Sequence, residues 1–332
     1  MGRLIDGAWV REALIANKAG KFERAASGFR GRVTADGSSG HPAAAGRYHL
    51  YVSYACPWAH RTLLARALLG LEDVVSLSVV DPFMGEDGWA FTEHPDCVAD
   101  PIGGAKFLYE VYLRADPRHT GKVTVPVLWD REAGTIVSNE SREILRMFDV
   151  AFAALGRAAI TLVPRALRDR VDAVIDAIYA PINNGVYRAG FATEQAAYEE
   201  AFEELFAALD RWEGVLAGQR FLCGDVVTEA DLCLFTTLLR FDPVYYGHFK
   251  CNLRRIRDYP QLGNYLRDLY QLPGVAATCR IDHIKQHYHR SHPQINPTRI
   301  VPVGPELALD APHDRGRFGG GEPFAPAEDL GL

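Results

Sequence analysis

Hydrophobic and polar positions alternate from residue 48 onward in a pattern that predicts a β-α-β unit. Residues 48–53 are typical of a strand, 61–70 of a helix, and 74–80 of a second strand. A unit of this kind favours two parallel strands joined by a right-handed crossover. A long insertion, rich in Gly, Asp and aromatic residues, follows over 81–121.

A hairpin and a helix are predicted to complete this part of the chain. Residues 123–130 and 135–138 are typical of short strands, with a turn at 133–134 between them. A helix then begins with three candidate cap residues, Asn139, Glu140 and Ser141. The order of these elements predicts a compact α/β domain.

After about residue 155 the pattern becomes all-helical. Apolar side chains recur at helical spacing within 171–178 and within 205–216. Thr228, followed three residues later by Asp231, is a capping-box variant that starts another helix. We therefore expect four segments: an N-terminal extension (1–45), an α/β domain (46–152), a helical domain (160–290) and an irregular C-terminal tail (291–332).

Composition and charge narrow the function classes. Of 332 residues, 48% are apolar and 23% are charged, as in ordinary globular proteins, and the net charge of −6 gives no basic field for nucleic acid or acidic membranes. No apolar run approaches the ~20 residues that span a bilayer, and the first residues do not resemble a signal peptide. The six cysteines are scattered, and Cys223, Cys233 and Cys279 lie among apolar neighbours, where burial is expected. This pattern predicts a soluble protein in the reducing cytoplasm.

Cys56 is the strongest candidate for chemistry. It lies where the first predicted strand gives way to a helix, and Pro57 follows it. Unpaired N–H groups and the helix dipole at such a position lower the pKa of a cysteine thiol and favour a nucleophilic thiolate. The alternative is a buried core cysteine, but such a residue usually lies inside an apolar run. Ala59 occupies the position of the second cysteine of a dithiol oxidoreductase, so an external thiol must serve as the partner.

Two further positions allow more than one interpretation. Pro126 interrupts a strand pattern. It is either an edge-strand proline or a cis proline that presents the Val125 backbone to an extended peptide ligand. Glu140 and Ser141 cap a helix, and the same N-terminus can also offer N–H groups and a hydroxyl to a ligand carboxylate.

The histidines and glycines do not indicate a metal or a nucleotide. His283 and His287 share a helical face, but no glutamate-bearing zinc motif accompanies them or His289 and His292. Packing or surface histidines are the favoured interpretation. His60 follows Cys56 by four residues and is expected to orient structure. No Gly-rich phosphate-binding motif is present in the sequence.

The order of these motifs resembles the glutathione transferase superfamily, in its cysteine-bearing branch. The shared features are Cys56-Pro57-Trp58-Ala59, Val125-Pro126, Glu140-Ser141 and the helical region with its capping box. Several segments resemble the glutathionyl-hydroquinone reductases, the xi class, over nearly the whole chain. They are 53–61, 81–91, 139–141, 183–187, 240–251 and 291–298.

This resemblance implies a thioredoxin-like glutathione-binding domain followed by an all-α domain for the acceptor substrate. Glutathione would be held by Trp89, Lys122, Val125, Glu140 and Ser141. Val125 would pair with its cysteinyl part, Glu140 and Ser141 would bind the γ-glutamyl end, and Trp89 would pack near the glycyl end. Three tyrosines, Tyr187, Tyr245 and Tyr288, would line the acceptor pocket, although Tyr246 competes with its neighbour for the inward position.

The implied reaction is the glutathione-dependent reduction of glutathionyl-hydroquinones, with glutathione as a co-substrate and no tightly bound cofactor or metal. Cys56 would attack the thioether sulfur, and a second glutathione would resolve the mixed disulfide. A homodimer is also implied. Two alternatives stay open: an omega-like dehydroascorbate reductase or thioltransferase, and a non-catalytic interaction module of the same fold.

Overall fold

The computed structural model describes residues 2–11, 16–319 and 321–330 and divides them into two compact units, each built from separate stretches of chain. Unit 1 comprises 2–11, 25–158 and 280–301. Unit 2 comprises 16–24, 159–279 and 302–330 without residue 320. The four predicted segments stay a prediction, since compact units are not the same as independently folding domains.

A four-stranded mixed sheet forms the centre of unit 1. Its strands and flanking helices, with a short N-terminal hairpin, are β1 (Gly2–Ile5), β2 (Ala8–Arg11), β3 (Tyr48–Val52), α1 (Pro57–Leu68), β4 (Val75–Val79), α2 (Leu108–Ala115), β5 (Val127–Asp130), β6 (Thr135–Ser138) and α3 (Ser141–Val150). The order in the sheet is β4-β3-β5-β6. β3 pairs parallel with β4 and antiparallel with β5, so the predicted β-α-β unit and hairpin are confirmed.

The central strand β3 explains where the core of unit 1 lies. All five of its residues are buried, as expected for a strand with neighbours on both edges and cover on both faces. α1 and α3 pack against each other. Each begins at a position that the sequence marks as a helix start, Cys56 and Glu140 respectively.

Some predicted boundaries of unit 1 are wrong. The pattern over 61–70 covers only part of the helix after β3, which begins at Pro57, as the proline in its first turn indicates, and ends at Leu68. The predicted strand 123–130 is reduced to β5. The insertion 81–121 contains α2, and the extension, expected to be irregular, contains the hairpin β1–β2. Asp6 and Gly7 make its turn with φ of 47° and 78°, the left-handed conformation that an Asp-Gly pair adopts readily.

Unit 2 is mainly helical, as predicted. Its elements are β7 (Ile160–Thr161), α4 (Arg168–Ile178), α5 (Gly185–Gly190), α6 (Gln195–Leu216), α7 (Glu229–Arg240), α8 (Pro260–Tyr270) and β8 (Ala325–Pro326). The predicted capping box of α7 is present, with Thr228 as the cap and Asp231 as its partner. Much of the tail is irregular, but β8 pairs antiparallel with β7.

The last helix, α9 (Ile281–Ser291), belongs to unit 1. The sequence placed nearly all of it in the predicted helical domain. Within the described parts of the chain, no helix has the length and apolar character needed to cross a membrane.

Candidate active site

Cys56 lies in a tight turn between β3 and α1. Its N–H donates to the Ser53 carbonyl at 3.2 Å, and its own carbonyl accepts from the His60 N–H at 3.0 Å. The backbone of Cys56 is extended (φ −79°, ψ 122°), which is the conformation of an N-cap residue, and Pro57 is the first residue of the helix. The thiol therefore lies at a helix N-terminus, as the sequence predicts, and Cys56 is half-buried.

The Val125–Pro126 peptide bond is cis, while the presentation of the Val125 backbone to a peptide ligand stays a prediction. The Cys56 thiol lies 3.6 Å from the Val125 carbonyl oxygen and donates to it. Val125 is 5% exposed. Among the described residues its N–H has no hydrogen-bond partner, so the Val125 backbone beside the thiol has an unused donor.

The N-terminus of α3 supplies a second polar feature of unit 1. Glu140 is its cap, because one carboxylate oxygen accepts from the Arg142 N–H at 3.3 Å. Its other oxygen accepts from the Ser27 hydroxyl at 2.8 Å. Ser141 is 3% exposed, and its Oγ is buried without a partner among the described residues. A buried hydroxyl of this kind is rare enough to call for a ligand or a water.

Asn139 is not the cap of α3. Its side-chain oxygen accepts from the Phe29 N–H at 3.1 Å, and its amide donates to the Tyr112 hydroxyl at 3.0 Å. The residue therefore connects α2 and the N-terminal stretch of unit 1 with the start of α3.

Trp89 and Lys122 differ in their surroundings. Trp89 is 7% exposed, its carbonyl accepts from the first N–H of α2, and its ring stacks on His287. Lys122 is exposed and lies three residues before Val125.

Two of the predicted tyrosines lie together in unit 2. The rings of Tyr187 and Tyr245 are 6.0 Å apart. Tyr245 is fully buried and stacks parallel on Phe249 at 5.4 Å, whereas Tyr246 is only half-buried. Of the two neighbours, Tyr245 is therefore the one that faces Tyr187. The third, Tyr288, is buried on α9 in unit 1.

Two family models match the chain. "Glutathione S-transferase, N-terminal domain" matches residues 55–151, and "Glutathione S-transferase, C-terminal domain" matches 195–268. The chain is 53% identical to glutathionyl-hydroquinone reductase YqjG of Escherichia coli, over 96% of this chain and 100% of the relative. It is 51% identical to glutathionyl-hydroquinone reductase PcpF of Sphingobium chlorophenolicum, over 93% and 98%.

Solved structures agree with these matches. A Xi-class glutathione transferase from Natrialba magadii has a TM-score of 0.91 and 54% identity, covering 96% of this chain and 97% of that one. The glutathione-bound structure of YqjG has a TM-score of 0.87 and 51% identity, covering 94% and 98%. This chain belongs to the glutathione S-transferase family, in its Xi class.

The family also contains a relative under a different name. "Glutathione S-transferase omega-like 2" of Schizosaccharomyces pombe is 47% identical over 87% of this chain and 95% of the relative. The predicted fold class, a thioredoxin-like α/β domain with an all-α domain in the glutathione transferase fold, is confirmed by the family.

The sequence did not reveal how this Xi-class chain positions its tyrosines. Two π-helical segments, Tyr179–Asn183 and Phe241–Tyr245, each contain a proline as the third residue. The prolines, Pro181 and Pro243, are the available signal, because a proline removes a helical hydrogen bond. The first segment precedes α5, which carries Tyr187, and the second ends at Tyr245.

Residues 16–24 of the predicted irregular extension also contribute to unit 2. Phe22 stacks on Tyr187 at 6.1 Å, and the Arg24 guanidinium lies 4.9 Å from the centre of the Tyr187 ring. Arg24 donates to the Asn184 side-chain oxygen at 3.0 Å. No pattern in the sequence links these residues.

Two histidines of α9 make hydrogen bonds to main-chain carbonyls. His283 Nε2 lies 2.9 Å from the Pro95 oxygen, and His287 Nδ1 lies 2.9 Å from the Pro82 oxygen. In the described part of the chain, no group of three or more His, Cys, Asp or Glu residues is arranged to hold a metal. His60 is fully buried in α1.

The remaining cysteines differ from Cys56 in their environment. All six cysteines are free. Burial raises the pKa of Cys97 and of Cys223 to about 11, and it raises the pKa of Cys251 further. The predicted burial of Cys223 and Cys233 is confirmed, whereas that of Cys279 is wrong, because its side chain is half-buried.

Proposed function

We propose that this protein reduces glutathionyl-hydroquinones to hydroquinones, with glutathione as the co-substrate. The observation that carries the proposal is the Cys56 thiol. It lies at the start of α1, next to the Val125 carbonyl, and Ala59 replaces the second cysteine of a dithiol site. Curated relatives that share about half of their residues with this chain over nearly full length are named for this activity.

Glutathione occupies unit 1 in this proposal. The unused Val125 N–H and its carbonyl pair with the cysteinyl part of the tripeptide, as one strand pairs with another. The Ser141 hydroxyl and the first N–H groups of α3 bind the γ-glutamyl carboxylate, since a helix N-terminus favours an anion. Glu140 binds the γ-glutamyl amino group, while Trp89 and Lys122 are near the glycyl end.

The first chemical step breaks a carbon–sulfur bond. The Cys56 thiolate attacks the sulfur that joins glutathione to the ring, and a disulfide forms between Cys56 and glutathione. The bonding electrons stay with the ring carbon, which takes up one proton. The two sulfurs are thereby oxidised, and the ring is reduced to the free hydroquinone.

The second step restores the enzyme by thiol–disulfide exchange. A second glutathione attacks the mixed disulfide, glutathione disulfide leaves, and the proton released from that glutathione balances the one taken up by the ring. The sum is one glutathionyl-hydroquinone and one glutathione converted into hydroquinone and glutathione disulfide.

The tyrosines assist the first step. Hydroxyl groups of Tyr187, Tyr245 and Tyr288 bind the ring oxygens, promote the keto tautomer and relay the proton to carbon. Tyr187 and Tyr245 lie in ring contact and are largely buried, so their aromatic rings provide an environment of low dielectric constant in unit 2.

The proposal also includes a homodimer and a location in the cytoplasm. The six free cysteines are consistent with a reducing compartment.

An omega-like activity is the second candidate, because a relative at 47% identity carries that name. It would use the same Cys56 chemistry to reduce dehydroascorbate or small mixed disulfides. The two candidates differ in the need for a bound aromatic ring.

A steady-state assay with purified protein tests both. We expect glutathione-dependent release of hydroquinone from a glutathionyl-hydroquinone, with little reduction of dehydroascorbate. Replacement Cys56→Ser should abolish the release, whereas Cys97→Ser should leave most of it. Rapid reduction of dehydroascorbate without hydroquinone release would favour the omega-like activity, and full activity of Cys56→Ser would remove Cys56 from the role of nucleophile.

A further inference from the structure

We propose that His287 is a positioning residue that holds the Trp89 ring in place for glutathione. The inference rests on the proposed function, in which Trp89 contacts glutathione. His287 lies on α9, about 200 residues along the chain from Trp89, and both residues belong to unit 1. No resemblance or motif assigns a role to this histidine.

The two rings form a close parallel stack. Their centres are 4.8 Å apart, and the planes are inclined by 23°. Each residue is only 7% exposed. A buried ring pair of this geometry is attractive beyond the area that it buries, so it favours one orientation of the tryptophan.

A hydrogen bond fixes the histidine ring itself. His287 Nδ1 lies 2.9 Å from the Pro82 carbonyl oxygen, and since a carbonyl only accepts, Nδ1 carries the hydrogen. The imidazole is thus held in one tautomer and one rotamer. Its flat face is presented to Trp89.

The next turn of α9 holds the beginning of the loop that carries Trp89. The Met84 N–H donates to the Ser291 hydroxyl at 3.0 Å, one helical turn after His287. The Trp89 carbonyl accepts the Leu108 N–H at 2.9 Å, which attaches the other end of the loop to α2. With both ends attached, the stack on His287 is the ring contact that the indole makes within the described residues, and it holds the direction of the indole.

His283 offers a matched control on the same helix. It lies one turn before His287, is fully buried and makes an equivalent 2.9 Å hydrogen bond from Nε2 to the Pro95 carbonyl. Its ring contacts are with Tyr54 and His94 instead of Trp89. A defect that comes merely from weaker docking of α9 should therefore appear in both alanine variants.

The test is the equilibrium binding of S-methylglutathione, a glutathione that cannot form a disulfide, measured by calorimetry on the full-length protein. We expect His287→Ala to weaken binding about 5- to 10-fold. His287→Phe keeps a ring for the stack and should stay within about 3-fold of the wild type. His283→Ala should bind within about 2-fold of the wild type, even if its melting temperature falls as far as that of His287→Ala.

Steady-state kinetics separates positioning from catalysis. His287→Ala should raise the KM for the glutathionyl-hydroquinone by a similar factor and leave kcat at saturating concentrations of both substrates within about 2-fold. The double variant Trp89→Leu with His287→Ala should bind no more weakly than Trp89→Leu alone, because both changes remove the same contact.

Three results with the histidine variants would overturn the inference. They are wild-type binding by His287→Ala, an equal loss in His283→Ala, and additive losses in the double variant. A Trp89→Leu variant that binds like the wild type would overturn the assignment of Trp89 and the inference with it, while hydroquinone release by the wild-type protein would still uphold the proposed reaction.

Discussion

Ser141 is a buried hydroxyl at the start of α3, and its Oγ lacks a hydrogen-bond partner within the described residues. Leaving such a group unpaired costs about 1–3 kcal/mol in the free protein. A ligand carboxylate at the N-terminus of α3 would supply the missing acceptor. The Ser141 hydroxyl therefore lowers the stability of the free protein and raises its affinity for the ligand.

Replacement Ser141→Ala should therefore have opposite effects on stability and on binding. We expect the melting temperature to stay the same or rise, while the KM for the glutathionyl-hydroquinone increases about 10-fold through the loss of a hydrogen bond to a charged group. Ser78→Ala is the matched control. The Ser78 hydroxyl donates to the Ala99 carbonyl at 2.6 Å, so its loss should lower stability and leave the KM unchanged. A large loss of stability in Ser141→Ala would contradict this assignment.

Distance along the chain explains why Cys56 could be identified from the sequence and His287 could not. The environment of Cys56 is local, because a strand, a turn and a helix start lie within a dozen residues. His287 acquires its meaning from Trp89, which is distant in sequence. Helical periodicity predicts that a histidine is buried, but it does not predict the ring against which it packs.

At the scale of elements, Asp130 joins the end of β5 to the stretch before β3. Its carboxylate is fully buried and accepts from the Arg47 guanidinium at 2.9 Å and 2.6 Å. His41 Nδ1 lies 2.7 Å from one carboxylate oxygen, and two N–H groups of the following turn donate to the other. Despite burial, which acts to raise it, these hydrogen bonds lower the pKa of Asp130 to about 2.

Replacement Asp130→Asn should lower the free energy of unfolding by about 2 kcal/mol at pH 7, the value that corresponds to this pKa shift. A depressed pKa adds stability that is present above the unfolded pKa of about 4 and is lost as the pH falls toward 2. The difference in free energy of unfolding between the wild type and the variant, measured with urea, should therefore become smaller below pH 4. Glu132→Gln, which removes an exposed partner of Arg47, should cost under about 1 kcal/mol. A difference that does not depend on pH would contradict the account.

The elements that the sequence predicted well are those with a strong local signal. β3, β4, β6 and the start of α7 follow from alternation and capping. The cis state of Pro126 was undecided, since the local preference between cis and trans at proline is small. The helix α2 was missed because its short amphipathic pattern lies within a long polar insertion.

At the scale of the whole molecule, a buried arginine of the C-terminal tail stabilises unit 2. Arg315 is fully buried, and its guanidinium donates to the main-chain carbonyls of Leu216, Gln219 and Arg220. Leu216 is the last residue of α6, so the arginine satisfies a carbonyl that a helix end leaves unpaired. The sequence predicted the irregular backbone of this tail, but not this contact, because no pattern links residue 315 with the end of α6.

Replacement Arg315→Ala should lower the free energy of unfolding by about 2–4 kcal/mol, since it leaves these carbonyls buried without donors. Urea unfolding monitored by circular dichroism measures the change. Arg317→Ala removes a more exposed arginine that pairs with Asp314, and it should cost under about 1 kcal/mol. Equal losses of free energy of unfolding in the two variants would show that the hydrogen bonds of Arg315 to the end of α6 do not hold the tail.

The central claim is that glutathione passes through a disulfide with Cys56. Its most direct test is mass spectrometry of the intact protein, mixed with one equivalent of a glutathionyl-hydroquinone in the absence of free glutathione. We predict one glutathionyl group on Cys56 for each hydroquinone released, and its removal as glutathione disulfide once glutathione is added. Hydroquinone release without that adduct, or with the adduct on another cysteine, would contradict the account.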